Sequence, residues 1–225
     1  MLPRLAAAIA FFIAVLAGQV LADTPRILVL GDSFMTTNGA RETSVVHELG
    51  RLTGAKVRSQ AVTGARFGYA LPITGALGLN ISKQYRKGSW DFVVMNGGGN
   101  DLWLGCGCGK CTRRMERLIN ASGTQGDIPA LVARARAGGA QVIYVGYLRS
   151  PGRGSPIERC KVLGDKMEAR IATMAARDSG VTYVSLQDMV PHGDGSFHAA
   201  DMIHPSPKGS RAAAERIAAA IARAR

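Results

Sequence analysis

Three polar side chains in this sequence have the types and spacing that nucleophilic catalysis requires. Ser33 stands in Gly31-Asp32-Ser33, directly after a short apolar segment. Asp201 and His204 are three residues apart, so in a turn the carboxylate can reach the imidazole and fix its orientation. Pro205 disfavours helical geometry at His204 and keeps it on that turn. A lone histidine is more often structural, but a histidine with its own acid and a serine elsewhere form a candidate catalytic triad.

Two glycine-containing segments offer hydrogen-bond donors that could act beside the serine. Gly64 follows a second extended segment, where a bare backbone amide can approach a ligand closely. Taken alone, Gly64 is better explained as an ordinary turn. Asn100, in Gly98-Gly99-Asn100-Asp101, has an amide side chain of the kind that donates a hydrogen bond to an oxyanion.

Strands and helices that would position these residues are predicted to alternate along the chain. Four short apolar segments have the pattern of strands, at 26–30, 91–95, 141–147 and 181–186, and the segment at 56–62 alternates as an exposed strand does. Segments with helical periodicity lie between and after them, including 45–53 and 127–137. This alternation predicts one α/β domain, residues 23–225, with an open parallel sheet covered on both faces. Ligands bind such sheets at the carboxyl ends of the strands, near the switch point.

Two further helices have marked beginnings, and a long segment between strands is expected to be a loop. Ser155-Pro156-Ile157-Glu158 combines an N-cap, a first-turn proline and a capping-box acid. An apolar seam follows it, made of Ile157, Cys160, Gly164, Met167, Ile171 and Met174. The last helix is predicted to begin near Ser206-Pro207 and to turn Ala213, Ile217 and Ile221 inward.

In the expected loop at 102–125, three apolar residues either line a substrate pocket or pack the loop onto the core: Leu102, Trp103 and Leu104.

The four polar and glycine segments together resemble the sequence blocks of the SGNH (GDSL-type) hydrolases. They are Gly31-Asp32-Ser33, Gly64, Gly98-Gly99-Asn100-Asp101 and Asp201-Met202-Ile203-His204, in the order of that family, with Gly64 matched by position only. The resemblance implies a flavodoxin-like three-layer α/β/α sandwich with a five-stranded parallel sheet, and ester hydrolysis through an acyl-enzyme. It implies Ser33 as nucleophile, His204 as general base and then acid, and Asp201 as its orienting partner. It also implies an oxyanion hole made by the Ser33 and Gly64 amides and the Asn100 side chain. No cofactor or metal ion is expected.

Two other functions are compatible with the same residues. An envelope polysaccharide O-acyltransferase would form the same acyl-enzyme and pass the acyl group to a sugar hydroxyl. A non-catalytic envelope-binding module would keep the fold without the chemistry. The substrate stays open among short acyl esters, lysophospholipids, thioesters and acetylated polysaccharides, so a small ester or an acylated glycan or lipid is the expected partner.

The first 22 residues have the layout of a secretory signal peptide. Arg4 precedes an apolar stretch at 5–20. Val20-Leu21-Ala22 then ends in a small residue before Asp23, as a signal-peptidase cleavage site does. The apolar stretch is about 16 residues long, which is short for the roughly 20 that a membrane-spanning helix needs. We therefore expect a cleaved leader and a periplasmic or secreted protein, with a permanent anchor as the alternative.

The four cysteines are expected to form two disulfides in an exported protein. Cys106, Cys108 and Cys111 follow the third strand, and Cys160 follows the fourth, so both segments belong at the same edge of the sheet. We expect Cys160 to bond to one of the other three, although the sequence does not choose the pairing. The alternative is a metal or redox site, since C-x-C-x-x-C resembles a ligand cluster, but no histidine is adjacent.

The composition is that of a folded, basic protein. Hydrophobic residues make up 47% of the chain, which excludes a wholly disordered protein. The 28 basic and 16 acidic residues give a net charge of +12. The basic residues are scattered, with few aromatic residues between them to stack on bases, so no nucleic-acid partner is expected. An anionic envelope surface or a merely solvated surface accounts for the charge, and we expect a monomer.

The remaining histidines fit no common zinc spacing and are expected to be structural or solvated: His47, His192 and His198.

Overall fold

The structure, a computed structural model, describes residues 24–152 and 154–225 of the chain. The predicted signal peptide at 1–22 lies outside these residues. Within the described part of the chain, no helix combines the length and apolar character needed to cross a membrane.

A parallel sheet of five strands forms the centre of the described structure. Its strands are β1 (Arg26–Leu30), β2 (Lys56–Ser59), β3 (Phe92–Met95), β4 (Gln141–Val145) and β5 (Val181–Val184). Their order across the sheet is β2-β1-β3-β4-β5, and every neighbouring pair is parallel. Crossovers run in opposite directions from β1 and β3, which makes the gap between these two strands the switch point of the sheet.

Helices cover both faces of the sheet. They are α1 (Ser33–Thr36), α2 (Val45–Thr53), α3 (Pro72–Ala76), α4 (Gly99–Cys106), α5 (Thr112–Leu118), α6 (Asp127–Ala137), α7 (Lys161–Ala175) and α8 (Pro207–Arg223). Alternate residues of each central strand face opposite layers, so Leu28 packs with α4 to α7 while Ile27 packs with α1, α2 and α8. The central strands are buried along nearly their whole length, as expected for a parallel sheet covered on both sides. The three-layer α/β/α architecture predicted from the sequence is confirmed.

Three of the strands end earlier than the sequence predicted. The strand predicted at 56–62 ends at Ser59, because beyond it the chain turns away and makes only single hydrogen bonds to β1 and Gly31. The strand predicted at 141–147 ends at Val145, since the Tyr147 N–H donates to the Glu168 side chain. The segment predicted at 181–186 is a strand only as far as Val184.

The predicted beginning of the α7 helix is wrong. The segment after Ser155 forms turns and a short 3₁₀ helix at Glu158–Cys160, and α7 begins only at Lys161. The Ser155 hydroxyl accepts the Ile157 N–H at 3.4 Å and donates to the carbonyl oxygen of Met202 at 2.8 Å, so it closes a turn ahead of α7 and ties that turn to a distant segment. Cys160 therefore precedes the α-helix and does not lie in its second turn.

The expected loop at 102–125 contains helical structure. Most of α4 and the whole of α5 lie in it, and Leu102, Met115 and Leu118 pack into the core beneath. Glycines at 105, 107 and 109 obscured this helical pattern in the sequence, and α4 ends where Gly107 adopts a left-handed conformation with φ of +61°.

Candidate active site

The turn that carries Ser33 depends on the two residues before it. Gly31 has no room for a larger side chain, and Asp32 supplies a polar side chain that caps the following helix. At Gly31 the backbone has φ of +141°, and a Cβ there would lie 1.8 Å from Asn96 Oδ1, so glycine is required. Asp32 is the N-cap of α1, and its Oδ1 accepts the Phe34 N–H at 3.0 Å. Ser33 follows as the first residue of α1 at the carboxyl end of β1 and is 8% exposed.

Ser33, His204 and Asp201 form a continuous hydrogen-bonded chain across 171 residues of sequence separation. The Ser33 Oγ lies 2.8 Å from His204 Nε2, and His204 Nδ1 lies 2.6 Å from Asp201 Oδ2. The other carboxylate oxygen, Oδ1, accepts the N–H groups of Ile203 at 2.9 Å and His204 at 3.0 Å. The turn proposed for Asp201 and His204 thus holds the carboxylate by two backbone donors and leaves Oδ2 for the imidazole.

Electrostatics fix which nitrogen of His204 carries the proton. Partial burial acts to raise the pKa of Asp201, but the hydrogen bonds from the His204 ring and from the His204 and Ile203 amides outweigh it and hold the pKa below its ordinary value. An ionised Asp201 accepts the Nδ1–H of a neutral imidazole, so Nε2 is the acceptor that faces the Ser33 hydroxyl.

The candidate oxyanion donors lie around the same serine. Asn100 is in the first turn of α4, and its side-chain NH₂ donates to the Ala65 carbonyl oxygen at 3.1 Å, directly after Gly64. On the other side of Gly64, the Thr63 hydroxyl lies 3.2 Å from the Thr36 hydroxyl in the Ser33 helix. Gly64, with φ of +78°, is therefore held between the two elements that carry the other donors. Among the described residues, neither the Ser33 nor the Gly64 backbone N–H has a hydrogen-bond partner.

Buried Asp32 is the centre of a polar network that the sequence reasoning missed. Its Oδ2 accepts the Tyr147 hydroxyl at 2.5 Å, and its Oδ1 accepts the Asn96 side chain at 3.0 Å. The Tyr147 oxygen in turn accepts the Gly99 N–H at 3.3 Å, which joins the ends of β1, β3 and β4. Burial raises the pKa of Asp32 despite these hydrogen bonds. The available signal was the position of polar side chains at the ends of apolar strands, which Asn96 and Tyr147 both have.

The Asp101 side chain binds the backbone of the segment at 67–68 and does not contact Ser33. It is buried, and its two oxygens accept the Phe67 N–H at 2.9 Å and the Gly68 N–H at 2.8 Å. Burial raises its pKa, with the two amides acting in the opposite direction. Asp101 thus anchors the segment after Gly64 to α4, next to Asn100.

An apolar cavity of about 120 Å³ opens beside Ser33 and runs toward α7. Asn100 and His204 line its mouth, and Met167 of α7 lines it on the far side. The two explanations for the segment at 102–104 each apply to part of it. Leu102 is buried in the core and also lines the cavity, Trp103 lines the cavity, and Leu104 is 53% exposed.

Two disulfides join the segments around this cavity. Cys106 is bonded to Cys111, and Cys108 is bonded to Cys160, which selects one of the pairings that the sequence left open. The second bond links the segment after α4 to the residue before α7, and Cys160 itself lines the cavity. All four cysteines are paired.

The other histidines lie outside the Ser33–His204 contact. His47 and His192 are exposed, and His47 Nδ1 lies 2.7 Å from the Ser44 hydroxyl. His198 is buried, and burial lowers its pKa although nearby Asp201 acts in the opposite direction. Among the residues that the structure describes, no three His, Cys, Asp or Glu side chains form a metal-ligand group.

Several solved structures have folds similar to that of this chain. Its fold is similar to that of a protein from Slackia heliotrinireducens assigned to the SGNH hydrolases, with a TM-score of 0.58 and 28% identity, covering 88% of this chain and 98% of that one. It is also similar to a protein from Bacteroides fragilis assigned as an acylhydrolase, with a TM-score of 0.62 and 16% identity over 91% and 90% of the two chains. The acetyl xylan esterase AlAXEase gives a TM-score of 0.57 and 15% identity over 87% and 98%.

The family assignment comes from the sequence itself. No curated protein matches the chain. Residues 29–212 match the model of the GDSL-like lipase/acylhydrolase family, a range that includes Ser33, Asn100, Asp201 and His204. The chain therefore belongs to the GDSL-like lipase/acylhydrolase family, the SGNH hydrolases.

Proposed function

We propose that this protein is a serine esterase that hydrolyses a carboxylic ester or thioester through an acyl-enzyme. The observation that carries the proposal is the hydrogen-bonded chain from Ser33 through His204 to Asp201 at the mouth of an apolar cavity. A serine hydroxyl is a weak nucleophile at its ordinary pKa and needs an adjacent base, a role that His204 Nε2 is placed to fill.

Each residue has one role in the proposed reaction. Ser33 Oγ attacks the ester carbonyl carbon while its proton passes to His204 Nε2. The tetrahedral intermediate then loses the alcohol or thiol, which takes that proton and leaves the acyl group on Ser33. A water molecule repeats the sequence, giving its proton to Nε2 and releasing the acid and a reprotonated Ser33. Asp201 holds the ring and stabilises the imidazolium at both stages.

The oxyanion would be stabilised by three donors around Ser33. The Ser33 and Gly64 N–H groups have no partner among the described residues, so they are free to bind a developing negative charge. The Asn100 NH₂ has two hydrogens, and its contact with Ala65 uses only one of them. That contact orients the amide and leaves its second hydrogen for the oxyanion, since Asn100 lines the same cavity as Ser33.

We extend the proposal to an exported location and a small ester, acylated glycan or lipid as substrate. Two disulfides are typical of proteins in oxidising compartments, and they agree with the leader predicted at 1–22. The family and the acetyl xylan esterase neighbour are compatible with either type of ester.

Replacement of Ser33 tests the proposal directly. We expect the wild-type protein to hydrolyse p-nitrophenyl acetate and to be labelled by a fluorophosphonate probe on Ser33. Ser33→Ala should lose the label and lower kcat by about 10⁶-fold. Ser150→Ala is the matched control, because Ser150 lines the same cavity without contacting His204, and it should keep both properties.

The same assays separate the alternatives. Labelling or hydrolysis that survives in Ser33→Ala would overturn the assignment. A wild-type protein that is neither labelled nor active would favour a non-catalytic binding module. Product analysis with a sugar acceptor present distinguishes hydrolysis, which releases free acid, from acyl transfer.

A further inference from the structure

A glycine occupies the middle of the wall that α7 presents to the cavity. Gly164 lines the cavity, as do the residues three and four positions before and after it, namely Cys160, Lys161, Met167 and Glu168. Residues at these spacings share one face of a helix. Gly164 is therefore at the centre of the stripe that faces the cavity, at a position where α7 has no side chain.

Nothing in the protein itself requires glycine at this position. Gly164 is not among the glycines with positive φ, so its backbone conformation is open to any residue. A Cβ built on it meets no heavy atom of the described structure within 4 Å, so no neighbour excludes a side chain. Glycine is also unfavourable in a helix interior compared with alanine. A position that breaks a local rule without a structural reason is where a functional constraint is expected.

The cavity beside Gly164 matches a short hydrocarbon chain in volume and in the apolar character of its lining. An apolar cavity of about 150 Å³ holds benzene, with its six carbons, so this one, at about 120 Å³, has room for about five. The two cations on its wall are already paired, Arg149 with Glu168 at 2.7 Å and Lys161 with Asp165 at 2.7 Å. Most of the remaining lining is apolar, including Leu102, Trp103 and Met167, and an alkyl chain needs no hydrogen-bonding partner there.

We propose that Gly164 is a specificity-determining residue, and that the gap it leaves in α7 holds the acyl chain of a substrate with about four to six acyl carbons. This inference rests on the proposed function, since the cavity opens directly on Ser33 and Asn100. Each methylene placed in such a pocket changes kcat/KM by about 10-fold or more. A side chain at position 164 would therefore exclude long acyl chains and leave acetyl esters nearly unaffected.

The test is the chain-length profile of p-nitrophenyl esters from acetate to decanoate. We expect the wild-type kcat/KM to be highest at four to six acyl carbons. Gly164→Ala should move that maximum about one carbon shorter, and Gly164→Leu should lower hexanoate hydrolysis by at least about 100-fold, with acetate hydrolysis within about threefold of wild type.

Gly50→Ala provides the matched control. Gly50 is also a helical glycine, in α2, and a Cβ there would make an ordinary contact of 3.7 Å with Val57, away from the cavity. Both alanine variants should keep or raise the melting temperature, because each removes a glycine from a helix. Only Gly164→Ala should change the profile, so a shifted profile in a protein of undiminished stability cannot come from damaged folding.

Three results would contradict the inference. In the first, Gly164→Leu has the wild-type profile. In the second, the Leu variant loses acetate and hexanoate hydrolysis equally. In the third, a parallel series of acetate esters of alcohols of increasing length shows the shift instead, which would place the leaving group in the gap. Failure of the proposed function looks different, because the wild-type protein would then hydrolyse no ester in the series, and both proposals would fall.

Discussion

Replacing Tyr147 with phenylalanine would remove two hydrogen bonds from the buried support of Ser33 while keeping the aromatic ring. The hydroxyl donates to Asp32 Oδ2 at 2.5 Å and accepts the Gly99 N–H at 3.3 Å. Asp32 is 2% exposed, and its Oδ2 has no other hydrogen-bond partner among the described residues. The substitution therefore leaves one oxygen of a buried carboxylate and one backbone N–H unpaired.

The expected loss of stability follows from these two contacts. A hydrogen bond to a charged group contributes about 1.5–3 kcal/mol, and the longer, neutral contact with Gly99 contributes about 1 kcal/mol or less. We therefore expect Tyr147→Phe to lower the free energy of unfolding by about 2–4 kcal/mol above the pKa of Asp32.

The loss should depend on pH, with a definite sign. The Tyr147 hydrogen bond holds the pKa of Asp32 lower than burial alone would place it, so the variant has a higher Asp32 pKa in the folded state. Between the two folded-state pKa values, the folded variant binds more protons than the folded wild type, and the unfolded chains do not differ. The difference in stability must therefore grow as pH rises through that interval, which lies above the ordinary pKa of 3.8, and then stay constant until the unfolded Tyr147 hydroxyl begins to ionise, near a pKa of about 10.

Urea unfolding of both proteins between pH 4 and pH 9 measures this difference. Tyr144→Phe is the control, because the Tyr144 hydroxyl is also buried but donates to the neutral Gly97 carbonyl oxygen at 3.0 Å. It should cost about 0.5–1.5 kcal/mol at every pH. If Tyr147→Phe lowered the free energy of unfolding by as little as Tyr144→Phe does, and by the same amount at every pH, the role given to the Asp32 carboxylate would be refuted.

Two further predictions concern the oxyanion donor and the disulfides. Asn100→Ala should lower kcat for p-nitrophenyl acetate by about 10²–10³-fold with little change in KM, as measured by steady-state kinetics, and a change confined to KM would show that Asn100 only binds substrate. The Cys108–Cys160 disulfide spans 52 residues and the Cys106–Cys111 disulfide spans 5. Replacing the long-range pair with alanines should therefore cost about 4 kcal/mol in urea unfolding, against about 2 kcal/mol for the local pair, and equal losses would contradict the loop-entropy argument.

Local signals in the sequence were sufficient where an element is held by its own residues. The helix predicted at 127–137 has those bounds in the structure, and α2 ends at Thr53, just before Gly54, which adopts the left-handed cap conformation with φ of +63°. The beginning of α8 is also as predicted, because the Ser206 hydroxyl accepts the Gly209 N–H and caps the helix. These features depend on backbone conformation and hydrogen bonds within a few residues, which a local pattern describes.

Local signals failed where a distant residue contributes to the end of an element. Ser155 has the pattern of a helix cap, but its hydroxyl closes only a turn through the Ile157 N–H and also donates to the Met202 carbonyl oxygen, 47 residues away. Tyr147 was predicted to continue a strand, but its N–H bonds to Glu168. Neither partner can be identified without knowing which segments meet, so the ends of these two elements could not be derived from the sequence.

By itself, the sequence determined the alternation of strands and helices and the three segments that carry Ser33, Asn100 and the Asp201–His204 pair. It did so because parallel strands place their carboxyl ends at one edge of the sheet, so residues after different strands are brought together by topology alone. Only the tertiary structure decided the strand order, the pairing of Cys108 with Cys160, the Asp32–Tyr147 contact and the open position at Gly164. Each of these depends on which side chains from separate elements occupy the same space, and that information is absent from any local pattern.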